Sequence, residues 1–387
     1  MKLLIFSPYY PPHIGGVEFY AEEMNAHLLK NGYDLTVFTP QLPITSLTKE
    51  ILKNKEGSKI KIIRFPAFDL IDNYPLPKFW SLKFWKLFFN LFSEKFDIVL
   101  SHTRFFSTSL LALWYAKFKK VAWLHIEHGS DFVQSKIKFI SLSANFYDYI
   151  WGRLILKMSD KNIGISQEVA TFIKKFDKRQ ITIIRRGIMT KKIDSLPSIK
   201  LPVKTEGAIV IGFVGRLISG KGLENLIIAL SQIQQRDFKC FIIGEGVQKK
   251  QLQELVKKNN LQDKIFFLGE KIRKETIGLL KNFDIFVNPS YSEGLPTTVL
   301  EAGLCQNAII ATAVGGTAEI IQSNKNGFLI KSGDVNDLKI KLLDLMTNPA
   351  KMERFGNEAR NHIIKNFSWN KSIQKYEKEF KKIMAEK

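Results

Sequence analysis

Residues 212–222 read Gly-Phe-Val-Gly-Arg-Leu-Ile-Ser-Gly-Lys-Gly. An apolar run, Ala208–Val214, ends in this glycine-rich turn, and an amphipathic pattern starts at Leu223. The order is strand, turn without bulky side chains, helix, which is the repeating unit of a parallel α/β sheet. Free amides at the helix start make such a turn an anion site. Arg216 and Lys221 add two cations where a diphosphate would sit. The stretch nearly matches a P-loop through Gly215, Gly220 and Lys221, but Gly222 stands where a magnesium-binding Ser or Thr belongs. A P-loop-like nucleotide-binding NTPase is therefore a weak alternative, and no Gly-x-Gly-x-x-Gly dinucleotide fingerprint follows the strand. The bland reading of the same residues is a plain strand–helix turn with incidental cations.

Working outward, the alternation continues on both sides. Phe238–Ile243, Ile265–Leu268, Ile285–Asn288, Ala308–Ala311 and Gly327–Ile330 read as strands. Helical patterns at Leu223–Gln234, Gln248–Asn259, Glu275–Lys281, Thr297–Leu304 and Asp337–Leu345 separate them. Before the turn, Leu3–Phe6, Leu35–Phe38, Ile60–Phe65, Ile98–Leu100, Val121–Ile126, Lys161–Ile165 and Ile181–Ile184 read as strands, with helical patterns such as Glu18–Lys30 and Thr108–Lys117 between. At 387 residues the chain is long enough for two domains. The spacing predicts two doubly wound α/β domains, 1–189 and 208–367, joined by a linker at 190–207 that holds Pro197 and Pro202. A charged helix, 368–387, can pack on either. Open parallel sheets bind ligands beyond the carboxyl ends of their strands, so two sheets hinged at a linker would put the site in the cleft they face.

The most specific segment is Asn282–Glu301. A strand ending at Asn288 is followed by Pro-Ser-Tyr-Ser-Glu-Gly-Leu-Pro-Thr-Thr-Val-Leu-Glu, residues 289–301. Pro296 suits the first turn of a helix, and the helix start near Thr297 offers amides to a phosphate. Glu293 lies on the loop and Glu301 within the helix, about 7–8 Å further along its axis. One carboxylate can reach a reacting sugar while the other accepts hydrogen bonds from ribose hydroxyls. Arg216 and Lys221 would offset the repulsion between these carboxylates and a diphosphate.

The sequence resembles the retaining glycosyltransferases of family four, which have the GT-B architecture of two Rossmann-like domains and use nucleotide sugars. The resemblance rests on Gly15-Gly16 in Pro-Pro-His-Ile-Gly-Gly-Val-Glu, on Gly215-Arg216-Leu217 with Lys221-Gly222, on Glu293 and Glu301, and on Gly315-Gly316-Thr317-Ala318-Glu319. It covers essentially the whole chain. It implies that the amides of Gly15 and Gly16 approach the donor diphosphate and acceptor, and that Arg216 and Lys221 neutralise the leaving diphosphate. It further implies that Glu293, with Gly294, Leu295, Pro296 and Thr297, lies at the donor sugar and phosphates, and that Glu301 holds the ribose. No bound metal or other cofactor is implied, in keeping with the lack of an Asp-x-Asp motif on a suitable strand.

The first domain should supply a histidine. His102, His125 and His128 all end strands, and His128-Gly129-Ser130-Asp131-Phe132 looks like the family's histidine–glycine segment, so His128 is expected near the transferred sugar. Arg273 is expected near the base. With no side chain placed as a covalent nucleophile, attack on the same face as departure is expected, assisted by the leaving phosphate. One departure stands out. The family commonly has Asn-Gly-Ile/Val-Asp where this chain has Arg185-Arg186-Gly187-Ile188-Met189, which predicts altered hinge contacts.

The chain carries 58 Lys and Arg against 37 Asp and Glu, a formal +21. The excess splits into +11 for residues 1–188 and +10 for the rest, so no single basic tail explains it. Such a charge looks for an anion. Nucleic acid is the weakest candidate, because no recognisable module accompanies the spread-out charge. Residues 78–92, from Lys78 to Phe92, are the most aromatic stretch. They read either as a buried helix with one wet stripe at Lys83, Lys86 and Asn90, or as a helix lying on an anionic membrane surface. The second reading suits a glycan or lipid-linked acceptor in cell-surface polysaccharide or lipopolysaccharide assembly. Two cysteines, Cys240 and Cys305, exclude a disulfide framework. With no long apolar run, a cytoplasmic location is expected, peripheral on the inner face of the membrane.

Overall fold

The computed structural model describes residues 1–13, 15–42, 48–54, 57–71, 74–132, 138–203, 207–233 and 236–386. Residues 204–206 of the expected linker, Gln234 of the helical pattern after Gly222, and Lys387 lie outside the described residues. The chain forms two compact units, Met1–Gly187 together with Trp369–Lys387, and Ile188–Ser368.

In the first unit the strands are β1 (Lys2–Phe6), β2 (Asp34–Pro40), β3 (Lys49–Lys53), β4 (Lys59–Phe65), β5 (Ala67–Ile71), β6 (Tyr74–Pro77), β7 (Ile98–His102), β8 (Ala122–Glu127), β9 (Lys161–Gly164) and β10 (Thr182–Ile183). Eight of them make one sheet in the order β10-β9-β8-β7-β1-β2-β4-β3, while β5 and β6 pair as a separate ribbon. All neighbours in the large sheet run parallel except β3, which is antiparallel to β4. Parallel strands are covered on both faces, and Leu3, Leu4, Ile5 and Phe6 are accordingly buried. The helices are α1 (Gly16–Lys30), α2 (Leu82–Asn90), α3 (Ser107–Lys119), α4 (Lys138–Tyr147), α5 (Arg153–Met158) and α6 (Gln167–Ile173), with a π-helical turn at Asp148–Gly152 between α4 and α5. The stretch 78–92 fits neither expectation completely. Phe84, Leu87 and Phe88 of α2 enter the core, whereas Leu82 and Phe89 are exposed along with Lys83, Lys86 and Asn90.

The second unit carries β11 (Ile209–Val214), β12 (Phe238–Ile243), β13 (Ile265–Gly269), β14 (Ile285–Asn288), β15 (Ala308–Thr312) and β16 (Phe328–Ile330). They form an all-parallel sheet in the order β13-β12-β11-β14-β15-β16. Its helices are α7 (Thr190–Ser195), α8 (Leu223–Ser231), α9 (Lys249–Lys258), α10 (Arg273–Leu280), α11 (Thr297–Leu304), α12 (Thr317–Ile320), α13 (Val335–Thr347) and α14 (Pro349–Asn366). Helix α14 starts where Asn348 accepts a hydrogen bond from the Lys351 amide and Pro349 takes the first turn.

Two boundaries differ from the sequence expectation. The division falls at Gly187/Ile188, and the described part of 190–207 is built into the second unit rather than free. It opens with α7; beyond it the Lys281 ammonium donates to the Leu196 carbonyl, and the Ile199 amide donates to the Gly278 carbonyl at 2.9 Å. The two prolines limit the backbone but leave its carbonyls available as acceptors. The terminal helix, α15 (Trp369–Ala385), packs on α1: Trp369 Nε1 donates to Glu23 Oε2 at 2.7 Å, and the Tyr20 and Tyr376 hydroxyls meet at 2.5 Å.

Candidate functional site

In the second sheet the chain leaves β11 for β12 and β13, then returns to the other side of β11 as β14. This reversal is the switch point at which open α/β sheets leave a crevice. Three loops meet at the carboxyl ends of β11, β14 and β15. Gly222 lies at φ +61°, and a Cβ there would fall 2.2 Å from the Pro289 carbonyl oxygen. The Tyr291 amide donates to the Gly220 carbonyl at 2.9 Å, which ties the first loop to the second. Gly315 lies at φ +53° with the Glu293 carbonyl where its Cβ would be, and the Gly316 amide donates to the Gly294 carbonyl at 2.7 Å. Only glycine satisfies both the positive φ and the close approach at these two positions.

This packing brings Lys221 and Glu293 together across 72 residues, with Nζ 2.6 Å from Oε1. The Ser290 hydroxyl donates to the same Glu293 oxygen at 2.7 Å. Arg216, on the same loop as Lys221, is exposed, and among the described residues no acidic side chain pairs with it. Pro296 is the residue just before α11, with φ −70°, and Leu295 beside it is buried. Gly294 and Thr297 flank them at the start of that helix. Glu301 is buried on α11, and Arg273 Nε donates to its Oε1 at 2.7 Å. Sequence reasoning placed these two residues at the ribose and the base separately, whereas the fold makes them an ion pair.

In the first unit Gly16 begins α1 and Gly15 precedes it. The buried Glu18 carboxylate folds back beside Gly15, where a Cβ would fall 2.4 Å from Oε2. His13 Nδ1 lies 2.5 Å from Glu18 Oε1. A negative charge at a helix start is favourable, and here it is supplied from within the chain. A diphosphate approaching Gly15 and Gly16 would therefore meet the Glu18 carboxylate.

His128 lies just past β8 and is half-buried. Its Nε2 is 3.1 Å from Nδ1 of the buried His102, and the Tyr20 ring meets it edge-on at 4.7 Å. Burial holds both rings neutral. His128 is pushed down to about 3 against the opposing pull of Glu127, and His102 sits well below the usual histidine range, lowered further by the neighbouring imidazoles.

Beneath this pair lies a charge network that sequence reasoning missed. The buried Glu127 carboxylate accepts from the amides of His128 at 2.9 Å, Gly129 at 2.8 Å and Arg104 at 3.0 Å. The Arg104 guanidinium sits 3.2 Å from Glu127 and 2.8 Å from Asp148, and donates to the Asp131 carbonyl at 3.1 Å. Burial alone would raise Glu127, but Arg104, His125 and the Gly129 amide hold it below the carboxylate range. Asp148 is pushed up to about 6 by burial and the charge of Glu127, with Arg104 opposing. The available signal was a lone carboxylate ending an apolar strand and a lone arginine just past another. A second missed pair explains the departure at 185–189: Arg186 is buried with Nη2 3.4 Å from Glu23 Oε2, and Gly187 leaves room for the Trp369 backbone. Gly244 and Gly246, also missed, let the loop after β12 lie against the carbonyls of Gly215 and Leu217. Among the described residues, no three His, Cys, Asp or Glu side chains group so as to hold a metal ion.

The chain is similar to known proteins over nearly its whole length. Residues 198–362 match the family described as Glycosyl transferases group 1, and residues 14–192 match Glycosyltransferase Family 4. An uncharacterized glycosyltransferase of Methanocaldococcus jannaschii is 36% identical over 399 residues, covering 99% of each chain. Among solved structures, sucrose-phosphate synthase from Thermosynechococcus elongatus superposes with a TM-score of 0.79 at 20% identity, covering 100% of this chain and 99% of that one. HepE of Anabaena in complex with UDP-glucose gives 0.74 at 16% identity, covering 99% and 100%.

Proposed function

The chain belongs to the family 4 glycosyltransferases and has the GT-B fold of two Rossmann-like units; from that premise we propose that it moves a hexose-type sugar from a nucleoside-diphosphate donor to a hydroxyl, with the anomeric configuration retained. The acceptor is a glycan or lipid-linked hydroxyl of cell-surface polysaccharide or lipopolysaccharide assembly, and the reaction is cytoplasmic. No metal ion takes part: Arg216 and Lys221 carry the charge of the leaving diphosphate.

The observation that carries this reading is the Lys221–Glu293 pair at the switch point, with exposed Arg216 on the same loop. At 2.6 Å the pair neutralises itself. A diphosphate that draws the ammonium away from Glu293 leaves that carboxylate, still held by Ser290, to accept hydrogen bonds from the donor sugar. The cations then stabilise the charge that grows on the diphosphate as the glycosidic bond breaks. Glu301 holds the ribose with Arg273 beside it, and Gly294, Leu295, Pro296 and Thr297 shape the donor pocket. His128 is the first unit's candidate for contact with the transferred sugar, and the acceptor hydroxyl gives its proton to the departing phosphate.

HepE of Anabaena holds UDP-glucose, which makes uridine diphosphate the first nucleotide to test. A bound nucleotide at a hundred times its dissociation constant should add about 2.7 kcal/mol of stability, read as a raised melting temperature. Lys221→Ala and Glu293→Ala should each cut turnover by roughly a hundredfold or more while the melting temperature stays close to that of the parent. Parental turnover in both folded variants would overturn the assignment.

A further inference from the structure

Helices α2, α3 and α5 pack side by side on one face of the first sheet, and share a core through Phe84, Phe88, Leu111 and Ile155. Their outer side is not polar. Leu82 is 87% exposed, Phe118 79% and Trp114 59%, with Trp80 and Phe89 also exposed. Phe89, Trp114 and Phe118 belong to one connected set of rings, and Trp80 and Leu82 flank α2 at its start. Ring centroids run from Phe79 to Trp85 at 6.3 Å, from Trp85 to Phe89 at 5.6 Å and to Trp114 at 6.3 Å, then from Phe89 to Phe92 at 5.9 Å and from Phe92 to Phe118 at 5.6 Å. Scattered apolar residues are normal on a protein surface, but a connected aromatic patch marks an interaction site.

Among the described residues the exposed charges around it are mostly basic, Asp160 at 4.0 Å from Lys117 being an acidic exception. Exposed Lys83 and Lys86 lie on α2, Lys117 and Lys120 at the end of α3, and Arg153 and Lys157 on α5. The acidic residues of the same segments are engaged elsewhere. Glu94 pairs with Lys61, Asp97 accepts from the Lys2 amide, and Asp148 is buried against Arg104. Two copies meeting through this face would set lysine against lysine. An anionic lipid surface suits it better, because aromatic rings settle at the acyl boundary while lysines reach the headgroups.

We propose that the outer face of α2, α3 and α5 docks on an anionic lipid bilayer. The surface belongs to the first unit and the donor loops to the second, and vesicle binding reads it without any turnover, so its failure and that of the transferase reading are distinguishable. The full chain is co-sedimented with phosphatidylcholine vesicles, with and without phosphatidylglycerol. It should pellet with the anionic vesicles and remain largely in solution with the neutral ones. Lys83→Glu with Lys86→Glu should weaken binding by about thirtyfold or more, and added salt should do the same. Leu82→Ser with Phe89→Ser and Phe118→Ser should abolish binding with the melting temperature kept. Equal pelleting with both vesicle types, no pelleting, or parental binding by the lysine variant would overturn the proposal. So would a dimer in sedimentation velocity that the serine variant dissociates, since a second copy would then cover the face.

Discussion

Residue by residue, the chain spends its buried charges on holding loops still. Arg104 lies between Glu127 and Asp148, and Glu127 in turn gathers the amides of His128 and Gly129. Removing the cation strands two carboxylates in a buried site, so Arg104→Met should cost about 3–5 kcal/mol. Adding Glu127→Gln and Asp148→Asn should recover a large part of it, and denaturant titration of the single and triple variants measures both. A single variant as stable as the parent would mean that the network is not the support described. The sequence marked His128 through its motif but was silent on Arg104, because a lone arginine past a strand looks the same whether it is solvated or buried. The same holds for Glu301 and Arg273: each was legible as a charged residue near the donor loops, while their pairing at 2.7 Å required the fold.

At the level of elements, strands and helices with a buried face were readable from their periodicity, and β1, β2, β4, β7 and β8 appear close to where the pattern put them. Two elements that escaped are β3 and α14. Strand β3, Lys-Glu-Ile-Leu-Lys, is a mostly exposed antiparallel edge, so its composition carries little burial signal. Helix α14 carries both a cap, Asn348-Pro349, and buried Phe355, Ala359 and Ile363 at helical spacing, yet it is absent from the helices read in the sequence. The turns were legible as glycine-rich, yet which glycine is indispensable depends on what approaches it. Gly222→Ala should force a left-handed residue against the Pro289 carbonyl and separate the loops that hold Lys221 and Glu293. The strained conformation alone costs about 1–2 kcal/mol. Stability should fall by at least that much, with weaker nucleotide-induced stabilisation; calorimetry with and without uridine diphosphate checks both.

For the whole molecule, His102 and His128 set the response to acid. His102 and His128 stay neutral in the fold, while in the unfolded chain both titrate near 6.5. Below that pH the unfolded state binds protons that the fold refuses, so stability falls as the pH drops. Asp148 works the other way: pushed up to about 6 from 3.8, it takes a proton in the fold first and offsets one of the two. The net loss between about pH 6 and 4 should approach about 1.4 kcal/mol per pH unit for one proton. Glu127, depressed in the fold, adds its own loss as the pH falls below its unfolded value. Urea titrations from about pH 7.5 to 4.5 should show this decline, and His102→Asn should flatten it; a level profile in the parent would contradict the assignment.

By itself the sequence determined the strand–helix alternation of two Rossmann-like units, the glycine turns at their sheet ends and the basic excess, because hydrophobic period and turn chemistry are properties of neighbours along the chain. Tertiary structure alone decided that α15 packs on the first unit, that Arg186 is buried against Glu23, and that Lys221 meets Glu293. It also decided which aromatics of α2 are core and which face outward. A charge or a ring acquires its partner only when distant segments close on one another, and no local period records that distance.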